Sequence, residues 1–203
     1  MPEPRPSPER LQAAYGKVVP DLVAPGLAVL LCGINPSLWS GAVGLHFANP
    51  SNRLWPTLAA SGWTPRRLHP SETTEIIAAG LGITNLVARS TARAHELSEP
   101  ELRAGLPVLE QLAARWAPRY VACLGLGAYR LATGEPDAQV GVQDRLLGPA
   151  RVWLLPNPSG RSASWQLPRL ASAYGELRAA AGGGTPYGRA PATGDRPDPA
   201  SRL

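Results

Sequence analysis

The sequence has little of several residues on which functional sites often depend. Its 203 residues include two cysteines, three histidines, one phenylalanine and a single lysine, Lys17. Two cysteines cannot supply the four thiolates of an iron-sulfur cluster. Cys32 and Cys123 each lie in a short apolar run, so we expect both to be buried, reduced thiols.

The sequence also lacks a long hydrophobic segment. No apolar run approaches the roughly 18 residues that a transmembrane helix needs, and no charged segment followed by an apolar one indicates a secretory signal. We therefore expect a cytoplasmic protein with no membrane partner. With 44% hydrophobic residues, the chain can bury the core of one domain rather than two.

The net charge of +5 comes almost entirely from arginine, because Lys17 is the only lysine among 20 basic residues. This excess favours a polyanionic partner only mildly and does not by itself indicate a nucleic acid. The two ends, 1–8 and 182–203, are rich in proline, glycine and arginine and have little to bury. We expect both to be disordered tails on either side of a single domain at 9–181.

Strand-like and helical segments alternate along this domain, which predicts an α/β fold with a parallel sheet covered on both faces. The clearest helix start is a capping box of Ser98 and Glu101, with Pro100 in the first turn. Strands are expected at 27–32, 82–87, 120–124 and 152–155. Helices are expected at 9–17, 52–61, 70–80, 98–116, 128–133 and 167–181.

Polar segments lie at the ends of three of the predicted strands: 33–37, 84–85 with 89–96, and 156–162. The carboxyl ends of parallel strands lie at one edge of a sheet, so we expect these loops to converge. None holds the serine, histidine and acid set of covalent acyl chemistry, and the three histidines have no partners at metal-ligand spacing. The Gly125-Leu126-Gly127 segment lacks the third glycine of a dinucleotide fingerprint. We therefore expect no metal ion and no cofactor.

The first and last of these loops lie in GINPSLWSGAVGLHFANPSNRLW and LLPNPSGRSASW, with ITNLVARST between them. These segments resemble the mismatch-specific uracil-DNA glycosylase and thymine-DNA glycosylase branch of the uracil-DNA glycosylase superfamily. The resemblance spans roughly residues 24–178 and implies a three-layer αβα fold with a central, mostly parallel sheet. It also implies a monomeric base-excision-repair enzyme, nucleoid-associated during repair, that flips uracil out of double-stranded DNA, notably opposite guanine. The enzyme would hydrolyse the N-glycosidic bond and leave an abasic site.

The resemblance assigns the chemistry to Asn35, which matches the residue that positions the attacking water. An amide oxygen accepts a hydrogen bond from water but cannot take its proton as a carboxylate would. Phe47 matches the aromatic residue that stacks on the flipped base, and Gly44 matches a position of close backbone approach. The alternatives are a core role for Phe47 and simple turn roles for Asn35 and Gly44.

The remaining base-pocket residues implied by the resemblance are Ile34, Ser37 and Asn85. Ser37 replaces a glycine of the family motif, which leaves the substrate range open. Asn85 either hydrogen-bonds a pyrimidine edge or serves a turn at the strand end. His95 and Glu96 are auxiliary candidates beside Asn35, against the alternative of solvated loop positions.

The resemblance also assigns 157–162 to the loop that fills the gap left by the flipped base. Arg161 stands where mismatch-specific members usually carry leucine, and it could hydrogen-bond the widowed base, which leaves the opposite-base preference open. Strand cleavage through a Schiff base requires an amine, and with Lys17 alone we expect a monofunctional enzyme. A lesion-binding protein with little turnover is the alternative. The predicted DNA-binding residues are Asn157, Ser159, Gly160, Arg161 and Ser162.

Overall fold

The computed structural model describes residues 5–160 and 163–182, in which helices cover both faces of a five-stranded sheet. The strands are β1 Val29–Gly33, β2 Leu81–Asn85, β3 Tyr120–Leu124, β4 Gly141–Leu147 and β5 Ala150–Leu155. The helices are α1 Pro8–Gln12, α2 Leu38–Val43, α3 Leu54–Ala60, α4 Thr73–Ala78, α5 Glu99–Trp116, α6 Leu126–Thr133 and α7 Leu167–Ala180, with a short 3₁₀ turn at Ala94–Glu96.

The sheet has the order β2-β1-β3-β5-β4, and all its neighbouring pairs are parallel except β4 with β5. The mostly parallel sheet expected from the sequence is therefore confirmed. β4 was not predicted, because its residues are alternately half-buried and exposed and its middle is polar. It forms a hairpin with β5 and closes one edge of the sheet.

Alternate strand residues pack into two separate hydrophobic layers, as a sheet buried on both faces requires. Leu31 and Ile83 face α3, α4 and α7, whereas Leu30 and Val152 face α5 and α6. Cys32 and Cys123 are neighbours across β1 and β3, and both are free and buried as expected. Their mutual hydrogen bond and their burial raise the pKa of the Cys32 thiol.

The helix prediction was right about the start of α5 but missed α2. The capping box of α5 is confirmed, because the Glu101 carboxylate accepts the Ser98 N–H at 3.0 Å and Ser98 Oγ accepts the Glu101 N–H at 3.4 Å. The predicted helices were incomplete, because none was expected between 32 and 52, where Gly41 and Gly44 suggest a loop. The segment forms α2, which Ser37 caps at its start and Gly44 ends in the left-handed conformation.

The ends expected to be tails lie largely outside the described residues. At the first of them, Ser7 caps α1, which is shorter than the helix predicted at 9–17. Of the helices in 5–160 and 163–182, none is long and apolar enough to cross a membrane.

The contact between α5 and the exit of β2 requires a glycine, and this gives a testable prediction. A Cβ atom at Gly105 would overlap the Leu86 carbonyl group, whereas one at Gly175 in α7 would meet nothing within 4 Å. We expect Gly105→Ala to lower the free energy of unfolding by about 1–3 kcal/mol, because backbone must shift. Gly175→Ala should raise it by about 0.5–1 kcal/mol through helix propensity. Urea unfolding measures both, and an unchanged Gly105→Ala would contradict the packing.

Candidate active site

A cavity of about 220 Å³ lies at the carboxyl ends of the parallel strands, where the three polar loops meet. The first two loops run side by side beyond the sheet. The Leu86 N–H donates to the Gly33 carbonyl at 2.9 Å, and the Val87 N–H donates to the Ile34 carbonyl at 2.9 Å. The structure thus brings together most of the predicted site residues as lining of one cavity: Ile34, Asn35, Ser37, Phe47, Asn85, Asn157, Ser159 and Gly160.

The side-chain amide of Asn35 is held in a single orientation by two groups. Its Nδ2 donates to the Arg89 carbonyl at 3.0 Å and to Thr91 Oγ1 at 2.8 Å. The Thr91 hydroxyl in turn donates its only hydrogen to the Arg93 carbonyl at 2.9 Å. The Arg89 carbonyl and the Thr91 hydroxyl oxygen can therefore only accept a hydrogen bond from Asn35. The group of Asn35 that faces them must be its NH₂.

This arrangement leaves Asn35 Oδ1 as an acceptor in the cavity wall. Within residues 5–160 and 163–182, no donor reaches this oxygen. A half-buried, pre-oriented acceptor of this kind can bind a water molecule at a fixed place. Thr91 was not predicted from the sequence, and its 1% exposure shows that its hydroxyl serves the interior of the site.

The loop that orients Asn35 is itself fastened to α5. Arg89 forms an ion pair with Glu101 at 2.6 Å, and Glu101 belongs to the capping box. The hydrogen bonds from Arg89 hold the pKa of the Glu101 carboxyl at about 2, with smaller contributions from Ser98. The pair is about one-third exposed, so it contributes to loop position more than to stability.

The ring of Phe47 forms another part of the cavity wall, and its backbone is strained. Phe47 has a φ of 49°, which a residue with a side chain rarely adopts. The Ala48 N–H donates to Ser40 Oγ at 3.2 Å, and Trp55 Nε1 donates to the Phe47 carbonyl at 3.3 Å. These bonds hold the ring between the hydrophobic core and the cavity, as a stacking surface for a flat ligand requires.

The end of β1 has no side chain where Phe47 and Asn85 approach it. A Cβ atom at Gly33 would lie 2.5 Å from Asn85 Oδ1 and 2.9 Å from Phe47 Cζ. Gly33 is also the register partner of Asn85 across β1 and β2. The glycine therefore lets an aromatic ring and a side-chain amide share one wall of the cavity.

His46 is a lining residue that sequence reasoning missed. It is 7% exposed, its Nε2 lies 2.9 Å from the Pro20 carbonyl, and its Nδ1 lies 3.3 Å from Asn85 Nδ2. Burial lowers the pKa of His46, although Pro20 and Asp21 act in the opposite direction. In the sequence, the only indication of a role for His46 is its position next to Phe47. No residues at metal-ligand spacing accompany it.

The third loop is fastened to the start of α3 by Arg53. The Arg53 backbone N–H donates to the Pro158 carbonyl at 2.8 Å, and its guanidinium donates to the carbonyls of Gly160 at 3.0 Å and Trp165 at 2.9 Å. Asn157 Oδ1 accepts the Ser159 N–H at 3.1 Å and shapes the turn. Arg161 and Ser162, predicted to contact DNA, lie outside the described residues.

Among the described residues, three of the predicted site residues do not line the cavity. Gly44 is the C-cap of α2, which agrees with the alternative of a turn glycine, and a Cβ there would meet nothing within 4 Å. The Glu96 carboxylate accepts hydrogen bonds from the Tyr15 hydroxyl at 2.8 Å and the Arg93 N–H at 2.7 Å. His95 lies beside it in the 3₁₀ turn, so the structure places neither auxiliary candidate next to Asn35.

Ser37 does line the cavity, but its side chain is engaged in capping α2. Its Oγ accepts the Ser40 N–H at 3.1 Å and donates to Ser40 Oγ at 3.2 Å. Ser40 Oγ also accepts a hydrogen bond from the Ala48 N–H. The serine therefore supports the loop that carries Phe47.

The burial of His46 predicts a pH dependence of stability. Its pKa in the folded protein is below the ordinary value of about 6.5, so the unfolded chain binds the proton first as the pH falls. The free energy of unfolding should then decrease as the pH is lowered through and below about 6.5. Urea unfolding between neutral and mildly acidic pH measures this decrease, which should be smaller in His46→Gln. Equal slopes for both proteins would contradict the assignment.

Two comparisons with known proteins agree with this geometry. The family model described as the uracil DNA glycosylase superfamily matches residues 20–178. The solution NMR structure of a candidate uracil DNA glycosylase from Methanosarcina acetivorans superimposes with a TM-score of 0.54 at 12% sequence identity, covering 81% of this chain and 98% of that one. The structural likeness at this identity concerns the fold, whereas the family match covers most of the chain. The chain therefore belongs to the uracil DNA glycosylase superfamily.

Proposed function

We propose that this protein is a monofunctional DNA glycosylase that removes uracil, and related damaged or mismatched pyrimidines, from double-stranded DNA, notably opposite guanine. The observation that carries the proposal is the meeting of Asn35, Phe47 and Asn85 in one cavity, with the Asn35 oxygen left as an acceptor. Membership of the superfamily supports glycosylase chemistry in general. The base preference and the roles of the residues are the proposal.

The cavity suits a small, flat base that has been turned out of the helix. Its volume of about 220 Å³ is below the roughly 300–1,000 Å³ of sites for larger ligands. A flipped base is recognised by stacking on its face and hydrogen bonds to its edge. Phe47 supplies the face contact, and the amide of Asn85 supplies a donor and an acceptor for the edge.

The chemistry uses a water molecule held by Asn35 Oδ1. The C1′–N1 bond breaks, the electron pair leaves with the base, and the water oxygen bonds to C1′. Asn35 cannot take up the proton that the water loses, so this proton passes to the departing base or to solvent. The step therefore depends on a base that leaves easily and on DNA phosphates that stabilise the sugar cation. The reaction should therefore be slow, and faster for uracil than for thymine.

The duplex would lie across the mouth of the cavity. Arg93 lines this cavity, and its guanidinium has no hydrogen-bond or ion-pair partner among the described residues, whereas Arg66, Arg89, Arg103 and Arg145 each pair with a glutamate. An unpaired guanidinium at this place suits a phosphate contact. In the proposal, the loop at 157–162 fills the gap left by the flipped base, with Arg161 as the wedge.

Replacement of Asn35 tests the proposal most simply. With a duplex that contains one G·U pair, Asn35→Ala should release uracil at least about 100-fold more slowly than the wild type, because the water loses its fixed position. Its affinity for the duplex should stay within a few-fold. Alkaline cleavage of the abasic sites under single-turnover conditions measures the rate, and a gel-shift titration measures the affinity.

Two outcomes would contradict this proposal in different ways. Full activity of Asn35→Ala would transfer the catalytic role to another residue. If the wild type gives no product at stoichiometric concentration but binds the G·U duplex, the protein is a lesion-binding protein rather than an enzyme.

Replacement of Thr91 tests the orientation of Asn35 separately. Thr91→Val removes the hydroxyl that accepts from Asn35 Nδ2, whereas Thr91→Ser keeps it. We expect kcat for uracil release to fall about fivefold in Thr91→Val, because one hydrogen bond of about 1 kcal/mol is lost, with KM nearly unchanged. The rate of Thr91→Ser should stay close to that of the wild type. Equal rates for the two variants would contradict the role of the Thr91 hydroxyl in orienting Asn35.

A further inference from the structure

We propose that His46 is a positioning residue that fixes the Asn85 amide so that the site accepts uracil and rejects cytosine. The inference rests on the proposed function, because it concerns how the same cavity reads a base. Its starting point is the pair of contacts of the buried ring. Nε2 lies 2.9 Å from the Pro20 carbonyl, and Nδ1 lies 3.3 Å from Asn85 Nδ2.

The tautomer of His46 follows from these partners. The Pro20 carbonyl can only accept a hydrogen bond, so Nε2 must carry the proton. The ring is neutral because its burial disfavours the charged form, and its Nδ1 is then an acceptor. The neighbouring charged group is Asp21, whose carboxylate accepts the Thr84 hydroxyl at 2.6 Å.

The amide of Asn85 is oriented by this acceptor. Only the NH₂ group can face His46 Nδ1, because the amide oxygen there would meet a lone pair. Rotating the amide by half a turn would replace a hydrogen bond by a repulsive contact in a buried place. Asn85 therefore offers the cavity one oxygen acceptor and one remaining N–H donor in a fixed order.

A fixed amide distinguishes two bases that a freely rotating amide would treat alike. Uracil has a donor at N3 and an acceptor at O4, whereas cytosine has an acceptor at N3 and a donor at N4. A side chain that can turn over satisfies either pattern with two hydrogen bonds. With its oxygen held toward N3 and its N–H toward O4, Asn85 matches uracil and opposes cytosine at both atoms.

The selectivity matters because cytosine is the base that the enzyme must leave intact. An amide side chain can easily bind cytosine in place of uracil, because its two ends have nearly the same shape and can exchange places by rotation. In this arrangement, the His46 ring prevents the error through its contact with Asn85. Replacing it should therefore change selectivity more than the chemical step.

The test compares binding of two non-cleavable duplexes. One carries a 2′-fluoroarabino uracil nucleotide and the other its cytosine counterpart, each opposite an abasic-site analogue, so that neither base is paired. The wild type should bind the uracil duplex at least about tenfold more tightly, as expected when a site rejects a base with the wrong hydrogen-bonding groups. In His46→Phe, which keeps a ring without nitrogen, the ratio should fall to within about threefold.

Two matched measurements complete the experiment. His46→Asn places an amide oxygen near the position of Nδ1 and should restore part of the ratio, whereas Asn85→Ala should abolish it. The ¹⁵N chemical shifts of His46 in the unmodified protein report the tautomer directly and do not depend on the folding of a variant. The Nε2-protonated form is expected, and a proton on Nδ1 would overturn the inference.

The remaining outcomes separate the inference from the proposed function. If His46→Phe is folded and retains the full uracil preference, the inference is wrong and the glycosylase proposal stands. If the wild type binds neither modified duplex better than an undamaged one, the proposed function itself fails.

Discussion

The structure depends on the parallel alignment of β1 with β2, which places Gly33 beside Asn85 at the end of both strands. Backbone hydrogen bonds continue this alignment past the sheet, so the loops after the two strands stay in register. Asn35 and Thr91 face each other as a result. Because Gly33 has no side chain, Phe47 and Asn85 occupy the space at the strand end.

Two of the asparagine amides that line the cavity, those of Asn35 and Asn85, each face a hydrogen-bond acceptor. The Arg89 carbonyl and the Thr91 hydroxyl accept from Asn35 Nδ2, and we infer that the neutral His46 ring accepts from Asn85 Nδ2. An amide has two ends of similar shape and opposite hydrogen-bonding character. In our proposal, a fixed amide lets Asn35 hold a water molecule and lets Asn85 read one edge of the base.

The sequence predicted the parts of the structure that depend on local patterns. Four strands and the capping box of α5 follow from apolar runs and cap residues, and the converging loops follow from parallel pairing. The sequence did not predict α2, because Gly41 and Gly44 suggest a loop, or β4, because an edge strand with a polar middle resembles a turn region. Thr91 and His46 act through contacts with residues distant in sequence, and no local pattern marks such contacts.

The most direct test of the account is the structure of this protein bound to a duplex with a 2′-fluoroarabino uracil nucleotide opposite guanine. We expect the uracil to lie outside the helix, with its ring against Phe47 and its edge at Asn85. A water molecule should lie between Asn35 Oδ1 and C1′ of the sugar. A uracil that remains stacked in the duplex, or that binds away from this cavity, would contradict it.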